Sequence, residues 1–202
     1  MPYFFSFLLM ENNQKIVIGI TGKNGSGKDT VSDYIVEKYQ ARKLVYSDLL
    51  KKALRVFLHD IGRDDFSWLA TNLRKRYGEG IIGKGMEKAI EKTKKEVVVL
   101  SGLRDFGELE LIRNYDNGYL IYIEAPVKLR WRRIYKRRSK ADDEVSFAEF
   151  LKVKENLPTE KKIAALKKEA DYIIVNDKDL DHLQTKVESI LNKIIKNSNK
   201  KQ

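Results

Sequence analysis

The chain has 202 residues, of which 42% are apolar, and a formal net charge of +11. Domains commonly contain about 100–200 residues, so the length predicts one compact domain with a buried core. Cysteine is absent, which excludes a disulfide framework and a Cys-based zinc site, and two histidines give no basis for a His-rich metal site. We expect a cytoplasmic protein.

The positive charge indicates an anionic partner, either a phosphate-rich small molecule or a nucleic acid. The cations do not form one block. Some lie at 130–138, others in the tail at 193–201, and the rest are scattered along predicted helices. A solvated, lysine-rich surface is the alternative interpretation of many of them.

The N-terminus carries an apolar run at residues 2–10. It is far shorter than the roughly 20 residues that cross a bilayer, and it lacks the basic segment and cleavage site of a signal peptide. We therefore expect no membrane partner. We also expect Met10 to be the natural start and residues 1–14 to form an extension outside the core.

Short β-branched runs alternate with amphipathic segments along the remaining chain. In chain order we predict a strand at 15–21, a helix at 28–39, a strand at 42–46, helices at 48–58, 64–77 and 84–94, a strand at 96–101, a helix at 105–114, a strand at 119–124, a helix at 126–138, two helices split near Pro158, a strand at 171–175 and a helix at 180–196. This alternation predicts a parallel sheet of about five strands with right-handed crossovers.

The domain is expected to span residues 15–197, with a small helical lid at about 130–160 and a disordered tail at 198–202. Strand, glycine loop and helix follow one another at its start, and the loop matches the pattern G-x-x-x-x-G-K. The matching residues are Gly22, Lys23, Asn24, Gly25, Ser26, Gly27 and Lys28.

Such a loop binds phosphate because its glycines let backbone N–H groups converge on phosphate oxygens. The N-terminus of the following helix adds partial positive charge, and Lys28 adds a full charge. The context of strand and helix makes a chance glycine-rich turn an unfavoured alternative. The sequence therefore predicts a three-layer α/β/α P-loop NTPase fold.

The residues after Lys28 depart from the general loop pattern. Asp29 stands where serine or threonine usually reaches Mg²⁺, and Thr30 follows it. A carboxylate oxygen suits this hard cation, so Asp29 is the predicted metal residue. Thr30 is predicted to contact phosphate, or else to pack within the helix.

The Gly27-Lys28-Asp29-Thr30 segment resembles that of phage-type deoxynucleoside monophosphate kinases. The wider layout, from about residue 15 to 191, is similar to adenylate kinase-like nucleoside monophosphate kinases and to dephospho-coenzyme A kinases. This resemblance implies ATP as phosphoryl donor, Mg²⁺ as cofactor and a phosphorylated metabolite as acceptor.

On the acceptor side, the resemblance implies contacts from four residues: Asp48, Lys51, Arg74 and Arg104. Asp48 would orient or deprotonate the acceptor, with Lys51 replacing an arginine of the family's motif. Capping of a helix by Ser47 or Asp48 is the alternative. Ser101 stands where the family has an aspartate that holds Mg²⁺-bound water. Asp29 would compensate for the absence of that aspartate. Asp105 is predicted to cap a helix, in a capping box with Glu108.

On the donor side, the resemblance implies that Arg133 and Arg137 close over the reacting phosphoryl group. Their spacing of four residues places them on one helical face. A basic surface patch is the alternative. Asn176 follows the last predicted strand and would lie beside the adenine, or else form a plain turn.

The leading functional prediction is transfer of the γ-phosphoryl group of ATP to a nucleoside or deoxynucleoside monophosphate. Dephospho-coenzyme A kinase is the alternative enzyme. A nucleic-acid-associated P-loop ATPase fits the charge but is not favoured, because no recognised nucleic-acid module is present. Because Asp29 and Ser101 depart from the family's pattern, a nucleotide sensor that binds ATP without consuming it is a further alternative. Sequence spacing leaves the acceptor and the oligomeric state open.

Overall fold

The computed structural model describes residues 15–137 and 145–199, apart from the side chains of Arg63 and Lys154. The strands are β1 Ile16–Thr21, β2 Arg42–Val45, β3 Val97–Ser101, β4 Gly118–Glu124 and β5 Tyr172–Val175. The helices are α1 Lys28–Tyr39, α2 Tyr46–Leu54, α3 Arg63–Tyr77, α4 Ile81–Glu91, α5 Phe106–Arg113, α6 Val127–Arg137, α7 Phe147–Lys152, α8 Pro158–Ala165 and α9 Leu180–Asn199. Short 3₁₀ turns lie at Lys154–Asn156 and Leu166–Glu169. The predicted extension at 1–14, with its start at Met10, and residues 138–144 of the predicted lid lie outside the described residues.

The five strands form one parallel sheet in the order β2-β3-β1-β4-β5. Ser101 at the end of β3 is level with Ile20 of β1 and with Val45 of β2. All strands therefore end at the same edge, where an open α/β sheet binds its ligands. The predicted parallel sheet is confirmed.

Alternation along β1 distributes its side chains between the two faces of the sheet. Ile16, Ile18 and Ile20 belong to a cluster with residues of α1 and α9. Val17 belongs to a second cluster that includes residues of α2, α4 and α5. The predicted three-layer α/β/α arrangement is therefore confirmed, with the loop after β1 at the centre of the sheet.

Three helices have boundaries that differ by three or more residues from those predicted. α2 ends at Leu54 instead of residue 58, and α4 spans Ile81–Glu91 instead of 84–94. Gly85 of α4 serves packing, because a Cβ there would lie 2.7 Å from Leu49 of α2. α9 continues to Asn199, and Ser198 is buried, so residues 198 and 199 belong to this helix and not to the disordered tail that we predicted.

None of the helices within 15–137 and 145–199 combines the length and the apolarity that a bilayer-crossing segment needs.

Replacing Leu191 by alanine should destabilise the protein by about 2–5 kcal/mol, because this α9 side chain is fully buried against the sheet and its loss leaves a cavity. Leu180→Ala, at the half-exposed start of the same helix, is the matched control and should cost less than about 1 kcal/mol. Urea unfolding measures both variants. Equal destabilisation by the two substitutions would contradict the assigned packing of α9.

Candidate functional site

The loop of residues 22–28 connects the buried strand β1 to α1. Gly25 and Gly27 have φ angles of 79° and 96°, in the left-handed region that favours glycine. Neighbouring chain also approaches closely: a Cβ on Gly25 would lie 2.6 Å from the carbonyl oxygen of Arg130, and one on Gly27 would lie 2.3 Å from Nδ2 of Asn176. Conformation and space therefore both require glycine at these positions.

Side chains from α6 and from the residue that follows β5 donate hydrogen bonds to the carbonyl oxygens of this loop. Asn176 donates from Nδ2 to the carbonyl of Ser26 at 2.8 Å. Arg133 donates to the carbonyls of Gly25 and Ser26 at 3.5 and 3.4 Å, and to Oδ1 of Asn176 at 3.1 Å. Because C=O and N–H point in opposite directions across a planar trans peptide, tying the Ser26 carbonyl turns the Gly27 N–H the other way.

Arg133 and Asn176 thus have a different place from the one expected from sequence. We expected Arg133 over the reacting phosphoryl group, but the structure shows its guanidinium bound to loop carbonyls. We expected Asn176 beside the adenine, but its side chain is buried and bonded to the loop. Both residues brace the loop from its outer side.

Lys28 lies where the other predicted catalytic cations converge. Burial lowers its pKa, and the nearby charges of Arg104 and Arg137 lower it further, while Asp29 and Glu160 act in the opposite direction. The structure therefore brings Lys28, Arg104 and Arg137 into electrostatic contact. A half-buried lysine near two exposed arginines attracts a polyanion.

Two carboxylates that sequence reasoning missed also contact the loop. Glu160, in the first turn of α8, accepts a hydrogen bond from the backbone N–H of Asn24 at 3.3 Å. Glu155 accepts from Lys23 at 2.9 Å and from both terminal nitrogens of Arg130 at 2.7 and 2.8 Å. Acidic residues within a lysine-rich stretch were the only signal in the sequence.

The ion pairs of Glu155 fix the segment after α7 against the loop. Arg130 is buried and also donates from Nε to the carbonyl of Ala125. Burial tends to raise the pKa of Glu155, but hydrogen bonds from Arg130 and Lys23 outweigh it and lower the pKa. This carboxylate therefore stays ionised, and a charged, bidentate pair with arginine holds its geometry well.

On the opposite side of the loop, Arg74 of α3 forms ion pairs with Asp105 at 2.8 Å and with Glu108 at 3.1 Å. Asp105 caps α5 by accepting from the N–H of Glu108, which confirms the predicted cap. The other half of the predicted capping box is shifted, since Glu108 accepts from the N–H of Arg104 at 2.6 Å. Arg74, expected to contact an acceptor, is instead committed to these two carboxylates, whereas Arg104 is exposed.

Asp48 lies in the first turn of α2, which follows β2 directly, and Lys51 lies in the last turn of this helix. Val45 occupies the N-cap position of this helix without a side-chain cap bond, so capping by Ser47 or Asp48 is wrong. Asp48 is exposed, and Lys51 is half-buried. Because Val45 is level with Ser101, these residues lie at the same sheet edge as the turn that carries Arg104.

The carboxylates beside Lys28 are the candidates for holding a metal ion. Asp29 and Thr30 are exposed in the first turn of α1. Ser101 is fully buried, 3.2 Å from the hydroxyl of Ser32. Among the described residues, no group of three or more His, Cys, Asp or Glu side chains is assembled. Mg²⁺ in phosphoryl-transfer sites needs only one or two carboxylates besides phosphate oxygens, so Asp29 alone fits this ion.

Two solved structures of similar fold are shikimate kinases. Shikimate kinase from Bacteroides thetaiotaomicron has a TM-score of 0.58 at 16% identity, over 88% of this chain and 97% of that one. Shikimate kinase from Acinetobacter baumannii has a TM-score of 0.52 at 19% identity, over 94% and 98%. The sheet and the phosphate-binding loop thus define a P-loop protein with a kinase-like fold.

Sequence relatives give the family. A family model described as an AAA domain matches residues 18–152. A UPF0200 protein of Sulfurisphaera tokodaii is 30% identical over 89% of this chain and 97% of its own length, and one of Methanothermobacter thermautotrophicus is 28% identical over 89% and 90%. The chain belongs to this AAA-domain, UPF0200 family of P-loop proteins.

Replacing Glu160 by glutamine should tighten the binding of ATP about threefold or more, because a carboxylate beside the loop repels the phosphates of the nucleotide. Calorimetric titration with ATP, with and without Mg²⁺, measures the affinity. Glu169→Gln, an exposed carboxylate after α8, is the control and should bind as the wild type does. Unchanged affinity in Glu160→Gln would contradict the electrostatic contact between this residue and the phosphates.

Proposed function

We propose that this protein is an ATP-dependent kinase that phosphorylates a nucleoside or deoxynucleoside monophosphate. The observation that carries the proposal is the phosphate-binding loop, whose carbonyls are held by Arg133 and Asn176. The half-buried Lys28 follows this loop and lies within the electrostatic influence of Arg104 and Arg137. Arg104 follows β3 and Arg137 ends α6, so cations from two different elements meet at the phosphate-binding loop. A donor and an acceptor phosphate held there would lie between fixed positive charges.

The donor side of the site is the loop with the N-terminus of α1. ATP would place its β- and γ-phosphates against Lys28 and the loop N–H groups. Arg133 and Asn176 hold the loop carbonyls from behind, so the N–H groups need not reorganise when phosphate arrives. The adenine would lie towards β4 and β5, on the side from which these two residues come.

The acceptor side is the edge formed by the ends of β2 and β3. Arg104 would hold the phosphate of the acceptor, and Asp48 and Lys51 would orient the rest of it. Arg74, bound to Asp105 and Glu108, supports this side at a distance from the substrate. The acceptor therefore meets one exposed arginine whose backbone is fixed.

In the reaction, an oxygen of the acceptor phosphate forms a bond to the γ-phosphorus of ATP. The bond from that phosphorus to the β–γ bridging oxygen breaks, and ADP leaves with the electron pair. Lys28 and Arg137 would stabilise charge on the transferring group, and the segment held by Glu155 would exclude water that hydrolyses ATP. Asp29 would hold Mg²⁺, which would supply positive charge against the phosphates.

Dephospho-coenzyme A is a second candidate acceptor, favoured by the exposed carboxylate of Asp48. That side chain lies at the end of β2, where it would act as a general base towards a hydroxyl acceptor. A nucleic-acid-associated ATPase is favoured only by the overall charge.

A coupled assay of ADP release over nucleoside monophosphates, deoxynucleoside monophosphates, dephospho-coenzyme A and shikimate tests the proposal. Turnover that is highest with a monophosphate supports it, and turnover with dephospho-coenzyme A alone supports the second candidate. Steeply salt-dependent RNA binding with RNA-stimulated ATP hydrolysis would replace both. ATP binding without any turnover would identify a nucleotide sensor.

Arg137→Ala should lower kcat about 100-fold or more with little change in ATP affinity, because it removes positive charge from the transferring group. The control is Arg132→Ala, an exposed arginine of the same helix, which should retain wild-type turnover. Steady-state kinetics with the best acceptor measures both. A loss shared equally by the two variants would mean that α6 contributes only general positive potential.

Asp29→Ala should abolish Mg²⁺-dependent turnover, since it removes a predicted ligand of the ion next to Lys28. A magnesium titration of activity distinguishes a lost ligand from a damaged loop: partial recovery at high magnesium indicates the former. Glu37→Ala, which removes an exposed carboxylate further along α1, is the control and should retain wild-type turnover. Normal turnover by Asp29→Ala would show that this carboxylate does not hold the metal.

A further inference from the structure

Glu108 is a buried carboxylate whose bonds point to the acceptor side of the site. It is 3% exposed, and its two oxygens have different partners. One accepts from the backbone N–H of Arg104 at 2.6 Å, and the other contacts the guanidinium of Arg74 at 3.1 Å. A single side chain thus joins the turn after β3 to helix α3.

The turn that Glu108 holds begins directly after β3. Gly102 has a φ angle of 87°, in the left-handed region that favours glycine. The Gly102 N–H donates to the carbonyl of Ile20, and Thr21 donates to the carbonyl of Leu103 at 2.8 Å, which ties the start of the turn to β1. At Arg104, the contact that holds the backbone is the carboxylate of Glu108.

We propose that Glu108 is a positioning residue for the acceptor: its carboxylate fixes the backbone of Arg104 and the guanidinium of Arg74, and so sets where the Arg104 side chain meets the acceptor phosphate. This inference rests on the proposed function, because it deepens the role of the same site. Glu108 itself does not touch either substrate, since it lies behind the turn.

The charge on Glu108 is sensitive to pH near neutrality. Burial and the adjacent Asp105 raise its pKa to about 7, against the opposing effects of the Arg104 N–H and of the charges on Arg74 and Arg104. The hydroxyl of Tyr46, from α2, donates to the backbone carbonyl of Glu108. A carboxylate oxygen of Glu79 lies 3.6 Å from Nε of Arg74. Burial also raises the pKa of Tyr46 well above its ordinary value, so this phenol stays neutral while Glu108 titrates.

The sign of the expected effect follows from this titration. Above about pH 7 the carboxylate is charged and holds both partners strongly, because hydrogen bonds to charged groups are stronger than neutral ones. Below about pH 7 it is protonated and holds them weakly. The affinity for the acceptor therefore rises as pH increases through about 7. The second ionisation of the acceptor phosphate, at about pH 6, adds its own change to the affinity.

The experiment compares Glu108→Gln with the wild type in steady-state kinetics at about pH 6 and about pH 8. At the higher pH, Glu108→Gln should raise the KM for the acceptor about tenfold, while the KM for ATP changes less than about twofold. The acceptor KM of the variant should show only the pH dependence of the phosphate itself, which both proteins share. Glu110→Gln, exposed two residues further along α5, is the matched control and should behave as the wild type.

Glu108→Asp keeps the charge and tests rescue. Partial recovery of the acceptor KM and of its pH dependence supports the positioning role, and thermal melting confirms that each variant is folded. An unchanged acceptor KM in a folded, active Glu108→Gln overturns the proposal. So does an equal loss of ATP and acceptor affinity, which would indicate a merely structural role.

A readout without substrates separates this inference from the proposed function. In the free protein, amide hydrogen exchange at Arg104 should be faster in Glu108→Gln than in Glu110→Gln or the wild type. If no acceptor supports turnover, the proposed function fails, and faster exchange alone would still support Glu108 as the residue that fixes this turn. Unchanged exchange would overturn that role.

Discussion

The phosphate-binding loop depends on hydrogen bonds to its carbonyl oxygens from outside the loop. The Ser26 carbonyl accepts from Asn176 and Arg133, and the Asn24 carbonyl accepts from Arg130. Each bond fixes a peptide plane, and a fixed plane determines where the next N–H points. Glycine at 25 and 27 is required because the carbonyl oxygen of Arg130 and the side-chain amide of Asn176 approach so closely that no Cβ fits. The loop is therefore held by β5 and α6 as much as by its own sequence.

The position of the loop in the sheet separates the site into two halves. β1 lies at the centre, with β3 and β2 on one side and β4 and β5 on the other. Helix α6 and Asn176 come from the second side and brace the loop, whereas the turn with Arg104 comes from the first side and leaves its side chain exposed. A braced half beside an exposed half follows from strand order, since each loop begins where its strand ends.

The sequence was sufficient to predict the sheet, the loop and the convergence on Lys28. Buried parallel strands are short apolar runs, and the G-x-x-x-x-G-K spacing is a local signal. The contacts of Arg133 and Arg74 were not predicted, because both residues bond to distant partners: Asn176 is 43 positions from Arg133, and Glu108 is 34 from Arg74. The roles expected of these two arginines towards substrates stay predictions. Glu155 and Glu160 were missed because nothing local connects them to a loop more than 100 residues earlier. Residues 138–144 of the predicted lid lie outside the part of the chain that the structure describes, so the lid stays a prediction.

The distribution of ion pairs explains how a chain of net charge +11 can hold a specific site. Lys23 and Arg130 share Glu155, and Arg74 is bound by Asp105 and Glu108. These buried or half-buried carboxylates fix the cations in single geometries, and a cation already paired attracts phosphate less than an exposed one. Arg104, by contrast, has its backbone anchored and its guanidinium exposed. Positive potential is thereby concentrated on a few fixed groups around Lys28. This arrangement supports the proposed pair of small phosphorylated substrates over an extended nucleic-acid backbone.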